Sequence, residues 1–97
     1  MEKQEIKAAI EAVLFAAGAP VEADRLANAL ETELKAVKTA ADELITEYNA
    51  SERGLTIIKL NDSYQMCNKK EYGEYTRRVM DLRRNTPLSQ AALEVLA

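Results

Sequence analysis

The side chains that could do chemistry in this chain are mainly carboxylates, because the sequence has sixteen Asp and Glu residues, one cysteine and no histidine. Without histidine, the group that most often moves protons near neutral pH is missing. Nearly all the carboxylates fall on the polar faces of predicted helices, which favours a solvated surface role. Cys67 lies on a predicted strand with no neighbouring base to activate it, so we interpret it as a small buried or edge residue. We therefore expect a binding module rather than an enzyme.

The same inventory argues against cofactors and metal ions. The three glycines, Gly18, Gly54 and Gly73, stand in neither of the spacings, G-x-G-x-x-G or G-x-x-x-x-G-K, that cradle phosphate groups. A structural zinc ion would need at least three carboxylate ligands, because there is no histidine and one cysteine. We predict no catalytic residues, no cofactor and no metal.

Length and charge set the next bounds. A chain of 97 residues with 47% hydrophobic side chains can build one core. Residues 1–52 contain eleven acids and five bases, whereas residues 53–97 contain five acids and eight bases. Such asymmetry is compatible with contact to a polyanion, with contact to an oppositely charged protein or with an ordinary surface.

No apolar run approaches the ~18 residues of a membrane span and no signal peptide is visible, so we expect a cytoplasmic protein without membrane contact.

The elements that position these residues begin with a helix over residues 3–17. Its apolar stripe recurs at helical spacing, and Gly18 and Pro20 end it. The stripe consists of Ile6, Ile10, Val13, Leu14 and Ala17.

Ala8, Ala12 and Phe15 form a second, weaker apolar face on the other side of this helix. Something must cover it. Another helix of the same domain is the favoured cover, and a partner chain is the main alternative. The face is therefore a candidate dimer or partner interface.

Two further helices are predicted before a β-hairpin. The second covers residues 23–30, and Thr32 is placed to cap the third. The third helix has the clearest apolar stripe in the chain, formed by Leu34, Val37, Ala41, Leu44, Ile45 and Tyr48.

Residues 55–60 are rich in β-branched side chains and, after a turn at residues 61–63, a second strand covers residues 64–67. Strand side chains alternate, so Ile57 faces one side while Ile58 and Leu60 face the other. A small domain can cover one face of such a hairpin. Ile58 and Leu60 therefore join the candidate dimer or partner interface.

A fourth helix is predicted over residues 69–81, with Asn68 and Glu71 as a capping box. Tyr72 and Tyr75 could stack on bases, but their helical spacing with Val79 favours a core or interface role. The helix and its flanks contain the main cluster of basic side chains. We interpret this cluster as a candidate basic contact patch, which is either simply solvated or binds an acidic protein segment or DNA. Its members are Lys69, Lys70, Arg77, Arg78, Arg83 and Arg84.

Thr86 and Pro87 are typical of the start of a fifth helix, and the chain stops inside the amphipathic pattern that follows. We therefore expect residues 1–85 to form one winged-helix domain. Residues 86–97 would begin a second one.

Three helices followed by a hairpin predict a mainly α domain with a small β-hairpin, the winged helix. Many winged helices are transcription regulators that read DNA with the third helix, and this is the alternative function. The exposed face of the third helix offsets bases with acids and lacks arginine, which disfavours phosphate contact. That face presents Lys35, Lys38, Thr39, Asp42, Glu43, Thr46 and Glu47.

Several segments resemble one family, the bacterial segregation and condensation protein B. Residues 10–21 (IEAVLFAAGAPV) are similar to its I-E-A-L-L-F-x-x-G-x-P-[LV] start. Residues 53–55 (RGL), 64–66 (YQM), 70–72 (KEY) and 87–97 (PLSQAALEVLA) match in the same order. Ser63 departs from the family, which often has glycine before the tyrosine.

The resemblance implies a non-enzymatic subunit of the bacterial chromosome condensation and segregation complex. Its implied partners are a second copy of itself, the kleisin subunit (segregation and condensation protein A) and, through the kleisin, the SMC ATPase. Contact with DNA would be weak or indirect, and the protein would associate with the nucleoid through the complex. In this family the N-terminal domain is associated with self-association, and a second winged helix follows it.

Overall fold

Four α-helices and three short strands make up residues 1–85, the part of the chain that the computed structural model describes. The strands form one antiparallel sheet in the order β1-β3-β2. The predicted mainly α winged helix with a small β element is confirmed. In chain order the elements are α1 (Lys3–Ala17), β1 (Val21–Glu22), α2 (Ala23–Leu30), α3 (Leu34–Ala50), β2 (Leu55–Leu60), β3 (Ser63–Asn68), a 3₁₀ turn (Lys70–Tyr72) and α4 (Gly73–Asn85).

Helix α1 has the predicted bounds, and both of its ends have a local cause. At the start, the backbone N–H of Glu2 donates to the Glu5 carboxylate at 3.1 Å. At the end, Gly18 adopts a φ of 62°, and its N–H donates to the carbonyl of Leu14 at 3.4 Å. A left-handed φ favours glycine, which is why the helix stops there.

The junction between α2 and α3 corrects the predicted cap. Thr32 completes the end of α2, because its N–H donates to the Ala27 carbonyl at 3.0 Å while Glu31 adopts a left-handed φ of 55°. The residue that precedes α3 is Glu33, and no side-chain hydrogen bond caps the helix there. Thr32 therefore ends one helix instead of starting the next.

The sheet has a third strand that the hairpin prediction lacked. In β1, Val21 pairs with Tyr64 and Glu22 with Ser63. The hairpin of β2 and β3 closes through Asn61, which has a left-handed φ of 57°. Ser63 lies extended between two strands, so serine in place of the family's glycine requires no special backbone conformation.

The core lies between the three helices and one face of the sheet, with α1 and α2 both packed on α3. Tyr64 from β3 is its largest fully buried side chain, which the sequence pattern did not single out, and Leu34 at the edge of the predicted stripe is 38% exposed. The buried apolar residues are Ile6, Ile10, Leu14, Ala23, Leu26, Ala27, Val37, Ala40, Ala41, Leu44, Ile57 and Tyr64.

The fourth helix differs from its prediction in both bounds and in its environment, since α4 covers Gly73–Asn85 instead of residues 69–81. The Asn68 amide donates to the Lys69 carbonyl at 2.8 Å instead of capping a helix, and a 3₁₀ turn precedes α4. Tyr72, Tyr75 and Val79 are exposed, so a core role for them is wrong and an interface role stays a prediction. The predicted fifth helix lies outside the described residues.

Candidate interaction surfaces

The apolar face of α1 is uncovered in residues 1–85. Phe15 is 75% exposed, and Ala8 and Ala12 are also exposed. The favoured expectation that another helix of the domain would cover this face is therefore not met by any described helix. The helices that pack on α1 contact the opposite stripe, which contains Ile10 and Leu14.

The outer face of the wing is the second uncovered apolar surface. Ile58 is 38% and Leu60 42% exposed, whereas the neighbouring Ile57 is 1% exposed. The alternation of side chains along β2 therefore separates a core face from an outer face as predicted. Large apolar side chains held on a paired strand are suited to contact with another protein surface.

A groove of about 710 Å³ runs beside α1, a feature that the sequence patterns did not reveal. Two segments distant in sequence, residues 4–11 and residues 44–55, build it, so no local spacing marks it. The lining residues are Gln4, Lys7, Ala8, Glu11, Leu44, Glu47, Tyr48, Ser51, Arg53, Gly54 and Leu55.

Ion pairs at the groove connect α1 to α3. The ammonium group of Lys7 is bound by Glu47 and lies 3.6 Å from Oε1 of Glu43, whose Oε2 is 2.9 Å from Nζ of Lys3. The hydrogen bond to Glu47 raises the pKa of the Lys7 amine. The hydrogen bond from Lys3 lowers the pKa of the Glu43 carboxyl. Lys7 is 5% exposed, so these carboxylates compensate a buried charge.

Tyr48 adds a polar contact along the same groove. Its hydroxyl donates a hydrogen bond to the Glu11 carboxylate, again connecting α3 to α1. Burial, followed by this hydrogen bond and the charge of Glu11, raises the pKa of Tyr48 to about 12. The phenol therefore stays protonated and keeps donating throughout the neutral range.

The exposed face of α3 is occupied by acids that are already paired or lie close to one another. Glu43 and Glu47 bind lysines of α1, and Lys38 Nζ lies 3.8 Å from Oδ1 of Asp62 in the hairpin turn. A phosphate backbone approaching this face would meet carboxylates alongside its few lysines. The arrangement is unlike a helix built to read bases.

The predicted basic patch is only partly free. Arg77 and Arg78 both pair with Glu74, at 3.1 and 3.0 Å, and Arg78 stacks 5.9 Å from the centre of the Tyr75 ring. Lys69 donates from Nζ to the Ser51 carbonyl at 2.5 Å. Lys70 is exposed. The side chains of Arg83 and Arg84 lie outside those that the structure describes, so a role for the whole patch stays a prediction.

Within residues 1–85, no three side chains of the metal-ligating types are grouped so that they could hold an ion. In the same part of the chain, no helix combines the length and apolar character needed to span a membrane.

Three helices and a wing define the class as a winged-helix domain. The family profile described as "Segregation and condensation complex subunit ScpB" matches residues 8–97. The chain belongs to this family, as the sequence resemblance predicted.

Curated relatives share this similarity over the whole chain. It is 42% identical over 97 residues to segregation and condensation protein B of Alkaliphilus metalliredigens, and 40% identical over 98 residues to that of Clostridioides difficile. These matches cover 51% and 55% of the relatives. The chain therefore spans about half the length of the curated relatives it matches.

Two solved structures extend the comparison to the fold. A dimer of the ScpB N-terminal domain complexed with ScpA peptide is similar with a TM-score of 0.72 and 30% identity, over 78% of this chain and 95% of that one. ScpB from Mycobacterium tuberculosis is similar with a TM-score of 0.81 and 26% identity, over 97% of this chain and 59% of that one.

Proposed function

We propose that this chain is the N-terminal part of a non-enzymatic subunit of a bacterial SMC–kleisin complex, and that it self-associates and helps to hold the kleisin. Residues 1–85 form its first winged helix, and residues 86–97 begin a second. The observation that carries the proposal is the similarity to nearly the full length of an N-terminal domain that was solved as a dimer with ScpA peptide. The protein would then act at the nucleoid, through the complex.

The exposed apolar side chains support self-association. Phe15 on α1 and Ile58 and Leu60 on β2 are large and uncovered in the described residues. Burying one such side chain contributes about 1.5–3 kcal/mol. A twofold dimer buries the same patch on both chains, so each contact is counted twice.

The test is the mass of the chain in solution, measured by sedimentation at low and high micromolar concentrations. We expect a dimer that Phe15→Glu and Ile58→Glu shift toward monomer, because each places a charge in a desolvated contact. Ala29→Glu, at an exposed position of α2, is the control and should leave the mass unchanged. Circular dichroism should show a folded helical domain for all three variants.

Two results would contradict this part of the proposal. A wild-type chain that sediments as a monomer at high micromolar concentration would exclude self-association. Unfolding of the Phe15→Glu or Ile58→Glu variant would show that the residue stabilises the domain itself and is not part of a free surface.

Kleisin binding and the lack of enzymatic activity need separate measurements. A fluorescently labelled peptide from the kleisin subunit should bind the purified chain in anisotropy titrations, whereas a scrambled peptide should not. The chain alone should show no ATP turnover above the background of a buffer control. Turnover that a substitution in this chain abolishes would contradict the non-enzymatic assignment.

A further inference from the structure

Within residues 1–85, helix α4 lacks the packing that a helix of its length needs. It has thirteen residues, and isolated helices shorter than ~12–15 residues are marginal in water. Among the described elements, its one substantial packing partner is the 3₁₀ turn that precedes it. We call the 3₁₀ turn and α4 the arm, and the remaining helices and strands the body.

The arm carries its own apolar stripe. Tyr72, Tyr75 and Val79 are spaced three and four residues apart, so they share one side of the arm. They are 39%, 62% and 53% exposed. A helix with an unburied stripe of this kind is stabilised by laying that stripe against another apolar surface.

The arm starts at the rim of the groove. The N–H of Lys69 donates to the Gly54 carbonyl at 2.7 Å, and its ammonium group donates to the Ser51 carbonyl at 2.5 Å. Ser51 and Gly54 both line the groove. Two groove-lining backbone carbonyls thus hold the point from which the arm leaves the body.

The groove offers the surface that the arm stripe lacks. The exposed side chains of Ala8 and Leu55 supply apolar contacts within it, and Ala8 also belongs to the uncovered face of α1. The carboxylates of Glu11 and Glu47 and the basic side chains of Lys7 and Arg53 line the same groove.

Charge favours contact between an arm and a body. Residues 69–85 contain six basic and three acidic side chains, whereas residues 1–52 contain eleven acidic and five basic ones. Opposite net charges attract over about one Debye length, ~8 Å at physiological salt. The groove lining itself carries two acids and two bases, so this attraction comes from the surface of residues 1–52 around it.

We propose that two copies of this chain exchange arms, so that the stripe of each arm lies in the groove of the other copy. The inference rests on the proposed self-association and adds the arm stripe and the groove to the apolar surfaces of α1 and β2 that support it. Each arm leaves from the rim of its own groove, so a twofold axis beside that rim brings each stripe to the opposite groove. The exchange covers the arm stripe and part of the α1 face together.

Single substitutions test each side of the contact by sedimentation of the full chain. Val79→Glu in the stripe and Ala8→Glu in the groove should each weaken dimerisation by roughly tenfold or more, because the charge is buried twice in a symmetric contact. Ala29→Glu adds the same charge at an exposed position of α2, outside both surfaces, so it is the matched control. It should change the dimerisation constant by less than about twofold, as a charge that stays exposed is screened by salt.

Complementation distinguishes exchange from an arm that folds back on its own body. One chain carries Val79→Lys and the other Ala8→Glu, so a mixed dimer has one intact contact and one new lysine–glutamate contact. Native mass spectrometry of an equimolar mixture should show the mixed dimer well above the half of all dimers that random pairing gives. A folded-back arm predicts no such preference.

Three outcomes would overturn the exchange while leaving the proposed self-association intact. In the first, the wild type is a dimer that Val79→Glu does not weaken. In the second, the variants dimerise normally but lose thermal stability, which indicates a folded-back arm. In the third, Ala8→Glu abolishes binding of the kleisin peptide with no effect on the dimer, which assigns the groove to the kleisin. A monomeric wild type would instead contradict self-association itself.

Discussion

Lys7 and Tyr64 are the two described residues that bring a polar group into the interior. The two polar groups differ in whether they have a bonding partner there. The Lys7 ammonium group reaches two carboxylates of α3 at the edge of the core. The Tyr64 hydroxyl is buried without a hydrogen-bond partner. Burial, with smaller contributions from Asp42 and Asp62, raises the pKa of Tyr64. Its ring packs in the core, whereas burial of its unpaired hydroxyl is unfavourable because the hydroxyl loses its hydrogen bonds to water.

Replacing Tyr64 by phenylalanine should stabilise the domain. The substitution keeps the ring and removes an unpaired buried hydroxyl, whose burial costs about 1–3 kcal/mol. We expect the free energy of unfolding in urea to rise by about 1 kcal/mol. Tyr64→Ala is the control for packing and should lower it by about 3–5 kcal/mol, as for other buried aromatic residues. Lower stability of Tyr64→Phe would show that the hydroxyl has a partner in solution.

The hydrogen bond between Tyr48 and Glu11 predicts a loss of stability at alkaline pH. The pKa of Tyr48 is about 12 in the folded chain, above the ~10 of an unfolded tyrosine. Stability from the protonated phenol is therefore complete below pH ~10 and is lost as the pH rises toward ~12. Urea unfolding at pH 9 and pH 11 should show a smaller decrease for Tyr48→Phe than for the wild type. Equal decreases would contradict this assignment.

At the scale of elements, the two faces of β2 predict opposite tolerances to truncation. Ile57 is 1% exposed in the core, whereas the adjacent Ile58 is 38% exposed on the outer face. Ile57→Ala should cost about 2–5 kcal/mol of stability. Ile58→Ala should cost less, about 1 kcal/mol in the monomer, since 38% of its surface is already exposed there. Similar costs, measured by urea unfolding at low protein concentration, would show that the strand register is wrong.

Elements with a long apolar period could be predicted from the sequence, and those without one could not. Helices α1 and α2 have the predicted bounds, because their stripes and Gly18 act locally. Strand β1 is two residues long and has no period to detect; its pairing with Tyr64 depends on chain more than forty residues away. The apolar stripe of α4 could be recognised in the sequence, but helical spacing does not show whether a stripe packs on its own core or on another surface.

The candidate surfaces could likewise be predicted only where a local sequence pattern marks them. Phe15, Ile58 and Leu60 could be found because they break the single-face pattern of their elements, and all three are exposed. The groove could not be found, since it forms only when α1, the end of α3 and the start of β2 come together. Whether the apolar residues and the basic patch serve as contacts stays a prediction for the substitutions described above.

At the scale of the whole molecule, the charge pattern predicts weak and unselective binding to DNA. Carboxylates share the exposed face of α3 with its lysines, and Arg77 and Arg78 are paired with Glu74. Duplex DNA should bind no more tightly than the ~10⁻⁴–10⁻⁶ M of non-specific complexes at physiological salt. Anisotropy titrations with two unrelated duplexes should give the same constant and weaken steeply with salt. Sequence-specific binding near ~10⁻⁸ M would favour a regulator instead.

The strand order also sets when the chain can fold during its own synthesis. Strand β1 is made early, but its partner residues Ser63 and Tyr64 follow about forty positions later, and the Ala23 N–H bonds to the Asp62 carbonyl at 2.8 Å. At ~5–20 residues per second, the ribosome needs a few seconds to add them. Until then the three helices lack both Ile57 and Tyr64, and their shared interior is open on one side. Nascent chains that expose only residues 1–50 beyond the exit tunnel should therefore be digested by protease, whereas those that expose residues 1–68 should resist it.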